Sequence, residues 1–253
     1  MPAHLAAPQS PPSPGRIDVH AHLLPDVDDG CKTVEDSIAC ARRMVEAGYA
    51  HLFCTPHVWP SLPHNSADEI PGRVADLQAM LDAVGVPLTL HPGGEMNLRP
   101  ETVDDPADAV VSYGMRGKVV LFDLWADRLP DFFRPAVRHL QSGGVTCVLA
   151  HPERMRAVQL DPGLIGLFTD ELGLRLQGNL QCFANPVGSM TRTVADGLLR
   201  RGAYWVLGSD LHNPRSLDVR LEGLRNAIRL VGDEAVDRLT VTNPRELLAP
   251  PAD

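Results

Sequence analysis

Short apolar runs alternate with helical patterns from Arg16 onward, which is the sequence signature of an α/β fold. The run IDVHAHL, Ile17 to Leu23, reads as a first strand and is followed by a loop from Pro25 to Lys32. Thr33 has the character of a helix N-cap. Asp36 falls in the first turn, apolar residues recur through Met44 and Val45, and Gly48 stops the helix. His51 to Thr55 reads as a second strand ending at Pro56-His57. A polar, proline-rich loop then leads to a helix over residues 67–84.

The alternation continues to the C-terminus. Residues 88–91 form a third strand running into Gly93-Gly94-Glu95, and residues 100–115 are acidic and irregular. Strands follow at 119–124, 145–150, 174–180 and 204–207. Helices are expected at 132–140, 187–201, 217–231 and 234–239. No internal repeat or linker interrupts this order, so about seven βα units form one domain over residues 16–253. Residues 1–15 are rich in proline and read as a disordered extension.

The polar residues fall on this map in a pattern. His20, His22, His57, Glu95, Asp123, His151, Asp210 and His212 all lie in, or just after, the C-terminal half of an expected strand. Active sites of β/α barrels are assembled there. His20 and His22 are two apart on a strand and point to one face, and Asp210 and His212 repeat that spacing on the last strand. Imidazoles and carboxylates without cysteine suit manganese, zinc or iron rather than sulfur-rich structural zinc. The loop Asp26-Val27-Asp28-Asp29-Gly30 follows the H-x-H strand, so at least one of its aspartates is a candidate ligand, although Asp-Gly is also a common turn signal. His4, His51, His64, His91 and His139 are read as ordinary polar residues. Arg154 and Arg215 each follow a candidate histidine by three positions and are candidates for holding phosphate oxygens through paired hydrogen bonds.

Composition narrows the chemistry. Lys and Arg total 23 against 32 Asp and Glu, a formal charge of -9. That argues against a nucleic-acid surface or a polybasic membrane anchor. An anionic substrate would need local positive charge, which metal ions can supply. The five scattered cysteines form no C-x-x-C pair and read as reduced, mostly buried thiols of a cytoplasmic protein. No leader pattern and no membrane-length apolar run occurs. Cysteinyl-phosphate chemistry needs an arginine six positions after the nucleophile; those positions hold Ser37, Glu46, Pro60, Glu153 and Gly188. A Walker loop and a G-x-S-x-G elbow are also missing.

The stretches IDVHAHLLPDVDDG, CTPH, GGE, VLAHPER and GSDLHN, spread from about residue 16 to 248, resemble the polymerase-and-histidinol-phosphatase (PHP) superfamily. Within it they most resemble the bacterial manganese-dependent protein-tyrosine phosphatases of capsule and exopolysaccharide systems. The resemblance implies a distorted seven-stranded, TIM-like (β/α)7 barrel with three divalent ions, manganese first, with zinc, iron or magnesium as alternatives. It implies a first metal on His20, His22, Glu95 and Asp210, a second on Glu95, Asp123 and His151, and a third on Asp29, His57 and His212. Arg154 would be the phosphate-handling arginine of the HPER motif, with Arg215 as the candidate for the second. The chain departs from the family in three places. The family's second arginine follows its D-x-H segment at a somewhat different spacing from that of Arg215. Asp123 stands where a glutamate is usual, and Trp125-Ala126-Asp127 is unlike the usual segment.

The implied reaction is hydrolysis of phosphotyrosine by a metal-bound water or hydroxide. The substrate would be a phosphotyrosine protein, a bacterial tyrosine kinase of a polysaccharide export system. Two rivals stand beside it: a histidinol-phosphate or other small-molecule phosphatase of the superfamily, and a catalytically inactive metal-binding regulatory module. A third, a metal-dependent amide or C–N hydrolase, would want a bridging lysine on a middle strand, and Lys118 only starts one.

Overall fold

The computed structural model describes residues 15–106 and 110–248. The expected N-terminal extension, save Gly15, lies outside these residues. Nine strands occur among the described residues: β1 (Arg16–Ala21), β2 (Tyr49–Cys54), β3 (His57–Val58), β4 (Thr89–Pro92), β5 (Glu95–Asn97), β6 (Val119–Asp123), β7 (Thr146–Ala150), β8 (Arg175–Asn179) and β9 (Val206–Gly208). Every pairing is parallel, as expected of strands joined by crossover helices.

The strands form a three-stranded sheet, β1-β2-β4, and a six-stranded sheet, β3-β5-β6-β7-β8-β9. Two interruptions separate them. Between β2 and β3 stand Thr55 and Pro56, and Pro56 can donate no backbone hydrogen bond. Between β4 and β5 stand Gly93 and Gly94, and a Cβ on Gly94 would lie 2.5 Å from Val111 Cγ1. Backbone bonds tie the far edges together: Asp210 N–H donates to His20 O at 2.7 Å and His22 N–H to Leu211 O at 2.7 Å. The result is a curled parallel sheet. The sequence pattern ended its second and third strands at these breaks and gave no strand to the short pieces beyond them, His57–Val58 and Glu95–Asn97.

Helices Val34–Glu46, Ile70–Ala83, Phe133–Ser142, Met190–Arg200 and Pro214–Val231 supply apolar faces to the outside of the sheet. Thr33 caps the first of these, its side chain accepting from Asp36 N at 3.1 Å, as its position predicts. The main core gathers Leu, Val, Ile and Ala with few aromatics, Phe122, Phe133, Phe168 and Phe183 among them. A smaller cluster of Ile17, Val19, Phe53, Leu121, Val148 and Val206 fills the inner face of the curl. Residues 100–115, read as irregular, contain 3-10 turns at Pro100–Val103 and Tyr113–Met115; residues 107–109 lie outside the described part. All five cysteines are buried thiols.

Candidate metal centre

The C-terminal ends of the strands converge on one buried cluster. His20, His22, Glu95, Asp123 and Asp210 are at most 2% exposed, and His57 and His151 are buried at 5% and 7%. Glu95 is the hub. Its Oε2 lies 3.3 Å from His20 Nε2, 3.4 Å from His22 Nε2 and 3.0 Å from His57 Nδ1, and its Oε1 lies 2.9 Å from His151 Nε2. Asp210 Oδ1 faces the same space, 3.5 Å from His20 Nε2 and 3.4 Å from His22 Nε2. Asp29 Oδ1 stands 3.4 Å from both His57 Nε2 and His212 Nε2.

The imidazoles are held from behind. His20 Nδ1 pairs with Gln177 Oε1 at 2.9 Å, His22 Nδ1 with Asp28 Oδ2 at 2.7 Å, and His212 Nδ1 with the carbonyl of Asp210 at 2.8 Å. Each acceptor places the ring proton on Nδ1 and leaves the Nε2 lone pair facing the cluster, the arrangement outer partners impose on metal-binding histidines. The Nε2 atoms of His20 and His22 then face one another at 3.3 Å with no proton to share. Glu95 Oε2 and His57 Nδ1 are buried without a hydrogen-bond partner. Orphaned acceptors converging in a dry site cost free energy unless a cation satisfies them.

The electrostatics say the same. Burial pushes the imidazole of His20 down, but Glu95 and Asp210 outweigh it and raise it; His22 is raised well above its usual value by Asp210, Asp28 and Glu95 against its own burial. Asp123 is pushed up to about 6, chiefly by burial and then by the charge of Glu95. The buried, carboxylate-lined donor set therefore suits positive charge. Three groups of ligand atoms lie within 4.8 Å of one another: His20, His22 and Glu95; His57, Glu95 and Asp123; and His22, Asp29, His57 and His212.

Each grouping differs from the set implied by resemblance: the first lacks Asp210, the second has His57 in place of His151, and the third adds His22. His57 joins two groups, presenting Nδ1 to Glu95 and Nε2 to Asp29, while His151 meets Glu95 through Oε1 on the far side. Asp123 is shared with other partners as well. Its Oδ1 accepts from Asn97 Nδ2 at 3.1 Å and its Oδ2 accepts from the indole N–H of Trp125.

Backbone geometry concentrates strain here. His151 and Asp210 have φ of 35° and 52°, two of the four non-glycine residues with positive φ among the described residues. Such conformations persist where the surroundings hold them, often at functional sites. Asp210 is fixed by Arg154 Nη1 and Asn179 Nδ2, both donating to Oδ2 at 2.7 Å, and by Arg220 Nε donating to its carbonyl at 2.8 Å.

The structure separates the two arginine candidates. Arg154 lines the cavity of about 530 Å³ over the cluster, together with His57, Glu95, His151, Asp210, His212 and Arg220. Arg215 is exposed in the first turn of helix Pro214–Val231 and does not line that cavity. The sequence spacing placed it at the rim, but the helix begins at Pro214 and turns its side chain outward. The arginine of that helix that faces the cluster is Arg220, 5% exposed. Its signal was a charged residue on the buried stripe Leu217, Arg220, Leu224 and Ala227. Asp28, Asn97, Gln177 and Asn179 also went unassigned. Asp28 alone had a signal, the acidic loop after the H-x-H strand.

The histidines read as ordinary stay apart from the cluster. His51 pairs with His91 at 3.1 Å, His64 with Glu69 at 3.1 Å, and His139 with the carbonyl of Asp105 at 2.6 Å. His4 lies outside the described residues.

Residues 16–249 match the family described as capsular polysaccharide synthesis, CpsB/CapC. The chain belongs to the CpsB/CapC family. Among curated CpsB/CapC-like relatives, the tyrosine-protein phosphatase YwqE of Bacillus subtilis is 28% identical over 200 residues, 79% of this chain and 78% of YwqE. The fold also superposes on a crystal structure from work on YwqE of Bacillus subtilis and CpsB of Streptococcus pneumoniae, called unique metal-dependent tyrosine phosphatases. That match has a TM-score of 0.81 and 28% identity over 92% of this chain and 93% of the other. A phosphotriesterase homology protein from Escherichia coli is 11% identical, with a TM-score of 0.57 over 92% of this chain and 98% of that one, a likeness of fold alone. The chain thus has an α/β fold with a curled parallel sheet, similar to that of its PHP- and TIM-like neighbours.

Proposed function

We propose that this chain is a metal-dependent protein-tyrosine phosphatase acting in capsule or exopolysaccharide regulation. The observation that carries the proposal is the convergence of Nε2 of His20, His22 and His212, each fixed through Nδ1, around the carboxylates Glu95, Asp210 and Asp29. Relatives named tyrosine-protein phosphatases support the substrate class. Counting β2 with β3 and β4 with β5 as interrupted strands supports a seven-stranded barrel, formed as one domain by residues 16–253.

In this reading His20, His22, Glu95 and Asp210 hold a first ion. Glu95, Asp123 and His151 hold a second with help from His57, and Asp29, His57 and His212 hold a third. Manganese is the first choice. Divalent ions there would lower the pKa of a water molecule and draw charge from the phosphoryl oxygens. Against three such ions the carboxylates Glu95, Asp123, Asp210 and Asp29 leave about two positive charges, which suits a phosphate dianion on an otherwise acidic protein.

Arg154 stands 40% exposed at the mouth and uses one guanidinium nitrogen on Asp210. Its remaining donors are available to phosphoryl oxygens. A phenolate needs less protonation than an alkoxide on leaving, so no dedicated acid is required of the chain. The partner would be a phosphorylated bacterial tyrosine kinase of a polysaccharide export system, met in the cytoplasm. No helix among the described residues is long and apolar enough to cross a membrane.

Phosphate release from a phosphotyrosine peptide, compared with histidinol phosphate, tests the reading. Preference for the peptide is expected. Preference for histidinol phosphate would move the protein to the small-molecule phosphatases, and release from neither would favour an inactive metal-binding module.

A further inference from the structure

Trp125 is 65% exposed, yet it is not a loose surface side chain. Its indole N–H donates to Asp123 Oδ2, and the guanidinium carbon of Arg154 lies 5.8 Å from its ring centre. Both anchors belong to the candidate metal centre. A large aromatic held in position while most of its surface stays in water is arranged for a ligand rather than for the core.

Beside the cavity over the cluster lies a second one of about 450 Å³, lined by Leu124, Trp125, Ala126, Asp127, His151, Arg154, Met155 and Arg156. The two cavities share three lining residues, Trp125, His151 and Arg154. A phosphate ester with its phosphoryl group over the cluster would therefore pass its ester oxygen across this shared wall. Whatever group the oxygen carries would enter the second cavity. An alkyl chain as short as that of serine offers little surface there. A phenyl ring is flat, apolar and long enough to lie along the indole.

We propose that Trp125 is the specificity-determining residue of this site, with the second cavity receiving the aromatic ring of an aryl phosphate monoester. The inference rests on the phosphatase reading above and adds to it the residue that distinguishes phosphotyrosine from phosphoserine. Because the indole is already fixed by Asp123 and Arg154, stacking a ring on it freezes little additional side-chain motion. The sequence segment Trp125-Ala126-Asp127 thereby acquires a function that family resemblance does not supply.

The test compares kcat/KM for phenyl phosphate and ethyl phosphate in wild type, Trp125→Ala and Trp125→Phe, with metal content measured for each. The ratio of the two substrates is the readout, so a general loss of activity through Asp123 cancels. Trp125→Ala is expected to lower the phenyl-to-ethyl ratio about tenfold, mainly through KM for the aryl ester. Trp125→Phe keeps an aromatic face but loses the N–H to Asp123, and is expected to keep most of the preference. An unchanged ratio in Trp125→Ala would overturn the proposal. So would an equal collapse of the ratio in both variants accompanied by metal loss, since Trp125 would then act only by holding Asp123. Calorimetric binding of phenylphosphonate and ethylphosphonate separates this from failure of the phosphatase reading. Tighter phenylphosphonate binding that depends on Trp125 would uphold the aryl site even in a protein that hydrolyses neither ester, and equal binding would overturn it.

Discussion

Asp28 Oδ2 lies 2.7 Å from His22 Nδ1, and this contact decides which nitrogen of the imidazole faces the cluster. The carboxylate is itself held by Gly30 N–H at 2.8 Å on Oδ1 and His57 N–H at 2.9 Å on Oδ2. One side chain thus orients two candidate ligands, His22 by its ring and His57 by its backbone. Replacing Asp28 by Ala is expected to lower metal affinity about 10–100-fold. Calorimetric titration of the metal-free protein with manganese measures this, and unchanged affinity would remove Asp28 from the account.

The same carboxyl gives the metal-free protein an acid-sensitive stability. Burial pushes Asp28 up, but His22 and the N–H groups of Gly30 and His57 outweigh it and hold it at about 2, below its usual 3.8. A folded-state value below the unfolded one means stabilisation that is complete above the unfolded value and lost as pH falls through the folded one. The window therefore runs from roughly pH 4 down to pH 2, and the shift corresponds to about 2 kcal/mol. Urea denaturation of the metal-free protein across that window should show the loss, and Asp28→Asn should flatten it. Equal slopes for the two proteins would contradict the assignment.

Gly30 and Gly72 make opposite predictions for the same change. A Cβ on Gly30 would sit 2.3 Å from the carbonyl oxygen and 2.5 Å from the Cβ of His22. Gly30→Ala should therefore destabilise by about 1–3 kcal/mol and disturb the loop that carries Asp28 and Asp29. Gly72 lies in helix Ile70–Ala83 with nothing within 4 Å of its Cβ position, so Gly72→Ala should stabilise by about 0.5–1 kcal/mol. Thermal melts of both variants check the pair.

Arg154 and Arg215 are expected to separate in kinetics. Arg154 lines the cavity and touches Asp210, whereas Arg215 is exposed and lines neither cavity beside the cluster. Arg154→Ala should lower kcat/KM for a phosphotyrosine peptide by about a hundredfold with metal content retained. Arg215→Ala should change it by less than about threefold, as surface substitutions generally do. The reverse order would restore the spacing-based role of Arg215.

Much of this was legible in the chain itself. Alternating apolar runs placed the strands within a few residues, and strand-end position alone gathered His20, His22, His57, Glu95, Asp123, His151, Asp210 and His212, which the fold brings together. The strands beyond the Thr55-Pro56 and Gly93-Gly94 breaks were missed because pieces of two and three residues are too short to show an alternation. Gln177, Asn179 and Asn97 were hidden for another reason. A lone amide on a strand carries no spacing signal, and its role depends on which strand ends next to it. Arg215 misled because three residues past His212 is a distance along the chain, while helix Pro214–Val231 sets the direction of its side chain. The positive φ of His151 and Asp210 had no sequence signal at all.

The central claim is that divalent ions held by this cluster are needed for phosphate release. Its most direct test is phosphate release from a phosphotyrosine peptide by protein stripped with chelator, then by the same protein with manganese restored, alongside His151→Ala. The account predicts loss of activity on stripping, recovery with manganese, and a large deficit in His151→Ala once manganese is restored. Full activity in the stripped protein, confirmed metal-free by elemental analysis, would contradict it.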